Sequence, residues 1–209
     1  MRRLLLPLLL LFPVPGMGKD LEELPPEAAE MFRSLAEVES FTVEFALVSD
    51  RALFTEPVTS TGRMVYQKPD RMRWSLQEPE PMEFLLTATH VALSSPGFGV
   101  QQIPLEGDPA TYAFVKAMTV WMGGDLEAAK EDFDISWVPG PHPQAILVPR
   151  KEAISWAIQR IELTFGQSPI HVSSMVLALP GGDKTEYTFR EYAAGPVDPG
   201  LFQLKDVPR

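Results

Sequence analysis

Near the start of the chain, apolar residues recur at Ala28, Phe32, Leu35 and Val38. Spacings of three and four place them on one stripe of a helix, and Pro25 and Pro26 suit its first turn. From Phe41 the period drops to two. Phe41, Val43, Phe45 and Leu47 alternate with Thr42, Glu44 and Ala46, which predicts a half-buried strand. Short runs bounded by Pro or Gly follow at 62–67, 71–76, 82–87, 90–94 and 99–103, each reading as a strand. A second series covers 133–138, 145–148, 155–165, 172–179 and 185–192, with Gly181-Gly182-Asp183 marking a tight hairpin before the last.

A helical insert separates the two series. Asp108 is a good N-cap, Pro109 fits the first helical position, and Gly123-Gly124 supply the stop. Between them Tyr112, Phe114, Val115, Met118, Val120, Trp121 and Met122 leave little polar surface beyond Thr111, Lys116 and Thr119. Such a helix is about 21 Å long, too short for a bilayer, and it has to be covered on every side. Asp125 caps a short polar helix reaching Glu131. No long linker or repeat interrupts the pattern. The expectation is a single α+β domain, mostly antiparallel sheet, over residues 19–209.

Composition narrows the function. Arg2 and Arg3 stand before an apolar run from Leu4 to Phe12, with Gly16 and Gly18 beyond it. This is the layout of a signal peptide, residues 1–18, and predicts an exported mature chain with no lipid anchor, since no cysteine follows the cleavage point. The formal net charge of -10 gives no electrostatic pull toward nucleic acid or anionic membrane. With Cys at 0, disulfide frameworks, thiolate metal sites and cysteine nucleophiles are excluded. His90, His142 and His171 are isolated, so no metal site is expected. Gly181-Gly182-Asp183-Lys184-Thr185 lacks Gly before the lysine and joins two strands, leaving no helix N-terminus for a phosphate. Glu78 and Glu80 sit among prolines and read as solvated charges. No catalytic residue and no cofactor are assigned, and the chain is not expected to be an enzyme.

Two features suggest binding instead. Seven methionines remain after residue 18 (Met31, Met64, Met72, Met82, Met118, Met122 and Met175), a side chain that adapts to variable apolar partners and also fills ordinary cores. The stretch 60–74 reads as a hairpin turning near Pro69-Asp70. Its even positions Met64, Tyr66, Met72 and Trp74 share an apolar face. Arg63, Arg71 and Arg73 project from the other, with Lys68 by the turn. Those cations are either a docking patch for an acidic partner or a face neutralised by Glu78, Glu80 and Glu83.

The same stretch, Lys68-Pro69-Asp70-Arg71-Met72-Arg73-Trp74 followed by Glu78-Pro79, resembles the periplasmic outer-membrane lipoprotein carrier family (LolA-like). The ending 183–189 followed by Pro196-Val197-Asp198-Pro199-Gly200-Leu201-Phe202 is similar to the family's close. The resemblance implies an incompletely closed β-barrel, a half-barrel whose apolar concave face is covered by helices. It implies a periplasmic carrier, expected to be monomeric, that takes lipoprotein acyl chains from an inner-membrane transporter to an outer-membrane acceptor. The residues it points to for lipid are Met64, Tyr66, Met72, Trp74, Phe114, Met118, Trp121 and Met122; those for docking or handover are Arg63, Lys68, Arg71 and Arg73. Lys68 stands where some relatives have arginine, keeping the charge without the planar fork. The rival reading is a periplasmic module of similar half-barrel that senses lipid or lipoprotein. A long acyl chain leaving water gains about 10 kcal/mol, so a soluble carrier has to offer comparable apolar cover.

Overall fold

The structure is a computed structural model and describes residues 24–52, 56–106, 111, 115, 119 and 122–203. The first helix, α1 (Pro26–Ala36), starts with Pro25 as its cap, whose carbonyl accepts from the N–H groups of Ala28 and Ala29 at 2.9 and 3.3 Å. Its apolar stripe of Ala28, Met31, Phe32 and Leu35 is buried. Six strands follow as a meander: β1 (Ser40–Asp50), β2 (Val58–Gln67), β3 (Arg71–Glu78), β4 (Met82–Leu86), β5 (His90–Ser95) and β6 (Gly99–Pro104). Beyond β6, Thr111, Val115, Thr119 and Met122 are helical, as the sequence of the insert requires. Then come α2 (Leu126–Asp132), β7 (Phe133–Val138), β8 (Gln144–Pro149) and the single turn α3 (Glu152–Ser155). The strands β9 (Arg160–Gln167), β10 (Ile170–Ala178) and β11 (Lys184–Ala194) complete the sheet, and a 3-10 turn, Pro199–Phe202, follows.

All pairings are antiparallel, in one eleven-stranded sheet ordered β6-β5-β4-β3-β2-β1-β11-β10-β9-β8-β7. The two sequence series are therefore its two halves, joined where β1 pairs with β11. β6 and β7 are its open edges, so the sheet curls without closing. The insert links those two edges. Val115 and Met122 lie in the same apolar cluster as side chains from both halves, which places these residues of the insert on the concave face. Gly62 shows how tightly β1, β2 and β3 are packed there. A Cβ on it would lie 2.2 Å from the Ser75 carbonyl oxygen and 2.5 Å from the Phe45 ring.

One expected strand is shorter than its periodicity suggested. Residues 155–159 do not join β9; they complete the turn begun by α3. Ile154 and Ile158 are four apart and both buried, a helical spacing, whereas the true strand period starts at Ile161, Leu163 and Phe165. The convex face carries a small cluster of its own. Val65, Leu85 and Ala92 are covered by Phe202, Val197 and Leu201 of the C-terminal segment.

Candidate functional site

Alternation along β2 and β3 puts Met64, Tyr66, Met72 and Trp74 on the concave face, exposed by 2, 1, 2 and 9%. They join a continuous apolar cluster with Phe41, Val43 and Phe45 of β1, Phe165 of β9, Met175 of β10 and Phe189 of β11. Aromatic rings line its middle: Trp74 lies edge-on to Phe45 and Tyr187, with centroids 5.2 and 5.1 Å apart. Phe41 leans on Tyr66 and on Tyr192, each at 5.3 Å. Burial pushes the Tyr187 phenol up to about 12, and burial, with the carboxylates of Asp70 and Glu39 adding to it, does the same for Tyr66.

Helical side chains cover this face. Met31, Phe32 and Leu35 of α1, Val115 and Met122 of the insert, and Ile154 of α3 all enter the same cluster. Gly124, at φ +70°, lets the end of the insert lie against α1. A Cβ there would meet the Ala36 nitrogen at 2.3 Å and the Phe32 carbonyl oxygen at 2.5 Å. Among the described residues, helical side chains pack directly against the concave face. Between the helices and the sheet lies a void of about 20 Å³, bounded by Leu35, Val38, Phe41, Val43, Met64, Met122, Val172, Phe189 and Tyr192. That is room for about one water, so at this point the apolar face is already covered by the protein's own side chains.

Beside the void, a more open groove of about 470 Å³ runs between the end of α1, the β2–β3 turn and the start of α2. Tyr66, Lys68, Pro69, Thr119, Gly123 and Leu126 are among its walls. Lys68 holds the groove together from one side. Its Nζ donates to the Ala36 carbonyl at the C-terminal end of α1, where a cation also meets the negative end of the helix dipole, and its backbone N–H donates to Glu39 at 2.9 Å. At the other side Asp125 caps α2, its carboxylate accepting from the Ala128 N–H at 3.0 Å.

The four expected docking cations do not share one environment. Arg73 is engaged: its Nε donates to Glu83 at 2.8 Å and a terminal nitrogen donates to the Leu201 carbonyl at 3.1 Å, binding the C-terminal segment to the convex face. Arg63 and Arg71 are exposed on that face, and Arg63 lies opposite Glu44 in the β1–β2 register. Of the expected lipid-contacting residues, the structure brings together Met64, Tyr66, Met72, Trp74 and Met122, while Phe114, Met118 and Trp121 lie outside the described residues. The contribution of the second half of the sheet went unnamed at the sequence level, although the period of two at Ile161, Leu163 and Phe165 carried the signal. The convex cluster gave none, because Val65 sits among arginines. Among the described residues no three His, Asp or Glu side chains group as metal ligands, and no helix is long and apolar enough to cross a membrane.

An open antiparallel half-barrel whose concave apolar face is closed by helices defines the class. Within it, the chain belongs to the outer membrane lipoprotein carrier protein LolA family, whose family model matches residues 36–205. Among solved structures it is similar to a DUF1329 family protein from Desulfovibrio piger, at 9% identity and TM-score 0.50 over 85% of this chain and 95% of that one. An uncharacterized conserved protein from Thermus thermophilus aligns at 10% identity and TM-score 0.50, over 84% and 92% of the two chains. A LolA superfamily protein from Nitrosomonas europaea aligns at 10% identity and TM-score 0.45, over 85% and 97%. No curated protein sequence is a significant match.

Proposed function

We propose that this chain is a periplasmic carrier that takes acyl chains of lipoproteins, or of related lipids, onto the concave face and moves them from the inner to the outer membrane. The observation that carries the reading is the nature of the cover. The apolar face of a family member is closed by helical side chains, of α1 and of the insert, that hold no place in the sheet's hydrogen-bonded ladder. Helices can leave that face while every strand keeps its partners.

This direct packing then sets the mechanism. An acyl chain enters by displacing Leu35, Met122 and their neighbours, so apolar contact is exchanged rather than added. The exchange lowers the net gain well below the roughly 10 kcal/mol of transfer from water, which lets a carrier release its cargo. Lys68 acts as the latch of this cover, since separating α1 from the β2–β3 turn breaks its bond to the Ala36 carbonyl. Arg63 and Arg71, free of the C-terminal segment that occupies Arg73, meet the inner-membrane transporter and the outer-membrane acceptor.

The test uses the mature chain and a diacylated lipopeptide bearing a fluorescent acyl chain. Saturable binding is expected, with faster amide exchange in α1 and in residues 122–132 as the helices move away. Met72→Glu is expected to abolish it, because a carboxylate among lipid tails is strongly disfavoured. The packing around Met72 means this variant also loses several kcal/mol of stability, so binding is compared below its unfolding midpoint. Wild-type protein that binds no acyl probe overturns the carrier reading.

A further inference from the structure

The two open edges of the sheet are unlike each other. β7 is guarded: α2 leads straight into it, Phe133 is fully buried, and the Asp134 carboxylate is paired with Arg150 at 2.6 Å. Charged side chains and adjacent cover are the usual protection of an edge. β6 has neither. No Asp, Glu, Lys or Arg occurs between Glu83 and Glu106, in a chain that is 22% charged. Of its six residues only Ile103 is even partly covered, so both faces of the strand stand in solvent. At the tip of the β5–β6 hairpin Phe98 is 79% exposed, and Val100 just below it is 40% exposed.

Register identifies which backbone groups are available. The Leu105 N–H donates to the Thr89 carbonyl at 3.0 Å, and this pair continues the β5–β6 register of Val91 with Ile103 and Ser95 with Gly99. In an antiparallel ladder bonded pairs alternate with non-bonded ones. Gly99, Gln101 and Ile103 therefore bond inward to β5, and the N–H and C=O of Val100 and Gln102 point away from the sheet. Among the described residues no strand pairs with them. Pro104, with no N–H, ends the row.

We propose that β6 is a docking edge for an extended segment of a partner protein, which adds to the sheet as a twelfth strand through Val100 and Gln102 and packs an apolar side chain against Phe98. The chain's charge selects the partner. With a net charge of -10, two copies repel each other, whereas a segment with alternating apolar residues and Lys or Arg at its ends is attracted and then held by main-chain bonds. The surface is separate from the concave face, so the inference stands whether or not acyl chains bind there.

The experiment selects a phage-displayed library of random dodecapeptides on the immobilised mature chain and synthesises the enriched sequence. The expected peptide is apolar at alternate positions with basic ends, and it slows amide exchange at Val100 and Gln102. Gln102→Pro removes one outward N–H and leaves the ladder to β5 intact, as proline does at an edge. It should weaken the peptide about tenfold with no change in unfolding midpoint, while Gln102→Ala, which keeps the backbone, should bind as wild type. Val100→Pro supplies the same test at the second position should Gln102→Pro fold poorly. A library that enriches nothing, or peptides indifferent to both proline variants, overturns the proposal. A concentration-dependent dimer of the chain alone that Gln102→Pro dissolves also overturns it, in favour of self-pairing.

Discussion

Tyr66 and Tyr187 show how a single buried polar atom reports on the concave face. Each phenol is pushed up to about 12 from an ordinary value of 10.0. In the unfolded chain they ionise near the ordinary value, while the folded protein keeps them neutral, so the native state binds more protons above it. Stability is full below about pH 10 and falls as pH rises toward 12. Two units correspond to about 2–3 kcal/mol for each residue. Absorbance at 295 nm should show these two phenols ionising only with unfolding, and the urea midpoint should fall across that window. Early, reversible ionisation of both would mean that water reaches the face in the empty protein. Arg73 makes the opposite point on the convex side. Its alternation with Met72 and Trp74 and its neutralisation by Glu83 were legible, but its role as the anchor of the C-terminal segment was not, because Leu201 reaches it only through the chain's return. Arg73→Ala leaves Glu83 largely buried without its cation. It should cost about 2 kcal/mol in urea unfolding and expose the segment after Gly195 to proteolysis before the sheet. Unchanged cleavage would show that Phe202 and its apolar neighbours hold the segment alone.

Among the elements, the helices govern access to the concave face, and Gly124 governs the helices. Its positive φ and its closeness to the backbone at Phe32, Leu35 and Ala36 leave no room for a side chain. Gly124→Ala should lower stability by about 1–3 kcal/mol. It should also push the insert away from α1, which predicts faster uptake of an acyl probe alongside the lower melting temperature. Slower uptake would place the entrance elsewhere. The strands were legible because Pro and Gly punctuate them and because each has a buried and an exposed face, so a period of two survives. Residues 155–159 misled because Ile158, at helical spacing from Ile154, runs directly into the strand residues Ile161, Leu163 and Phe165. The family resemblance rested on residues 68–79 and the ending, while the covering of the face had its sign in the all-round apolar insert. What the sequence could not display was how closely the helical side chains pack onto the half-barrel. That depends on the curvature of the sheet and the approach of α1, neither of which leaves a pattern in the chain.

For the molecule as a whole, acidity coexists with exposed arginines on one face. If Arg63 and Arg71 meet an acidic partner, Arg63→Glu with Arg71→Glu should weaken that association, most clearly at low salt, and leave acyl binding unchanged. Equal association at all salt concentrations would return both residues to simple solvation. The pairing of β1 with β11 has a different consequence, one of timing. Ser40 and Gly195 are bonded at 2.7 Å although 155 positions separate them. The centre of the sheet is therefore made from the two ends of the chain. A chain that emerges N-terminus first presents β1 well before its neighbour β11. During that interval the β1–β6 meander can assemble by local contacts, but its central strand is a bare and strongly apolar edge. The seam at the middle of the finished sheet is the last to close, and until it does the half-made protein needs to be kept from pairing with others of its kind.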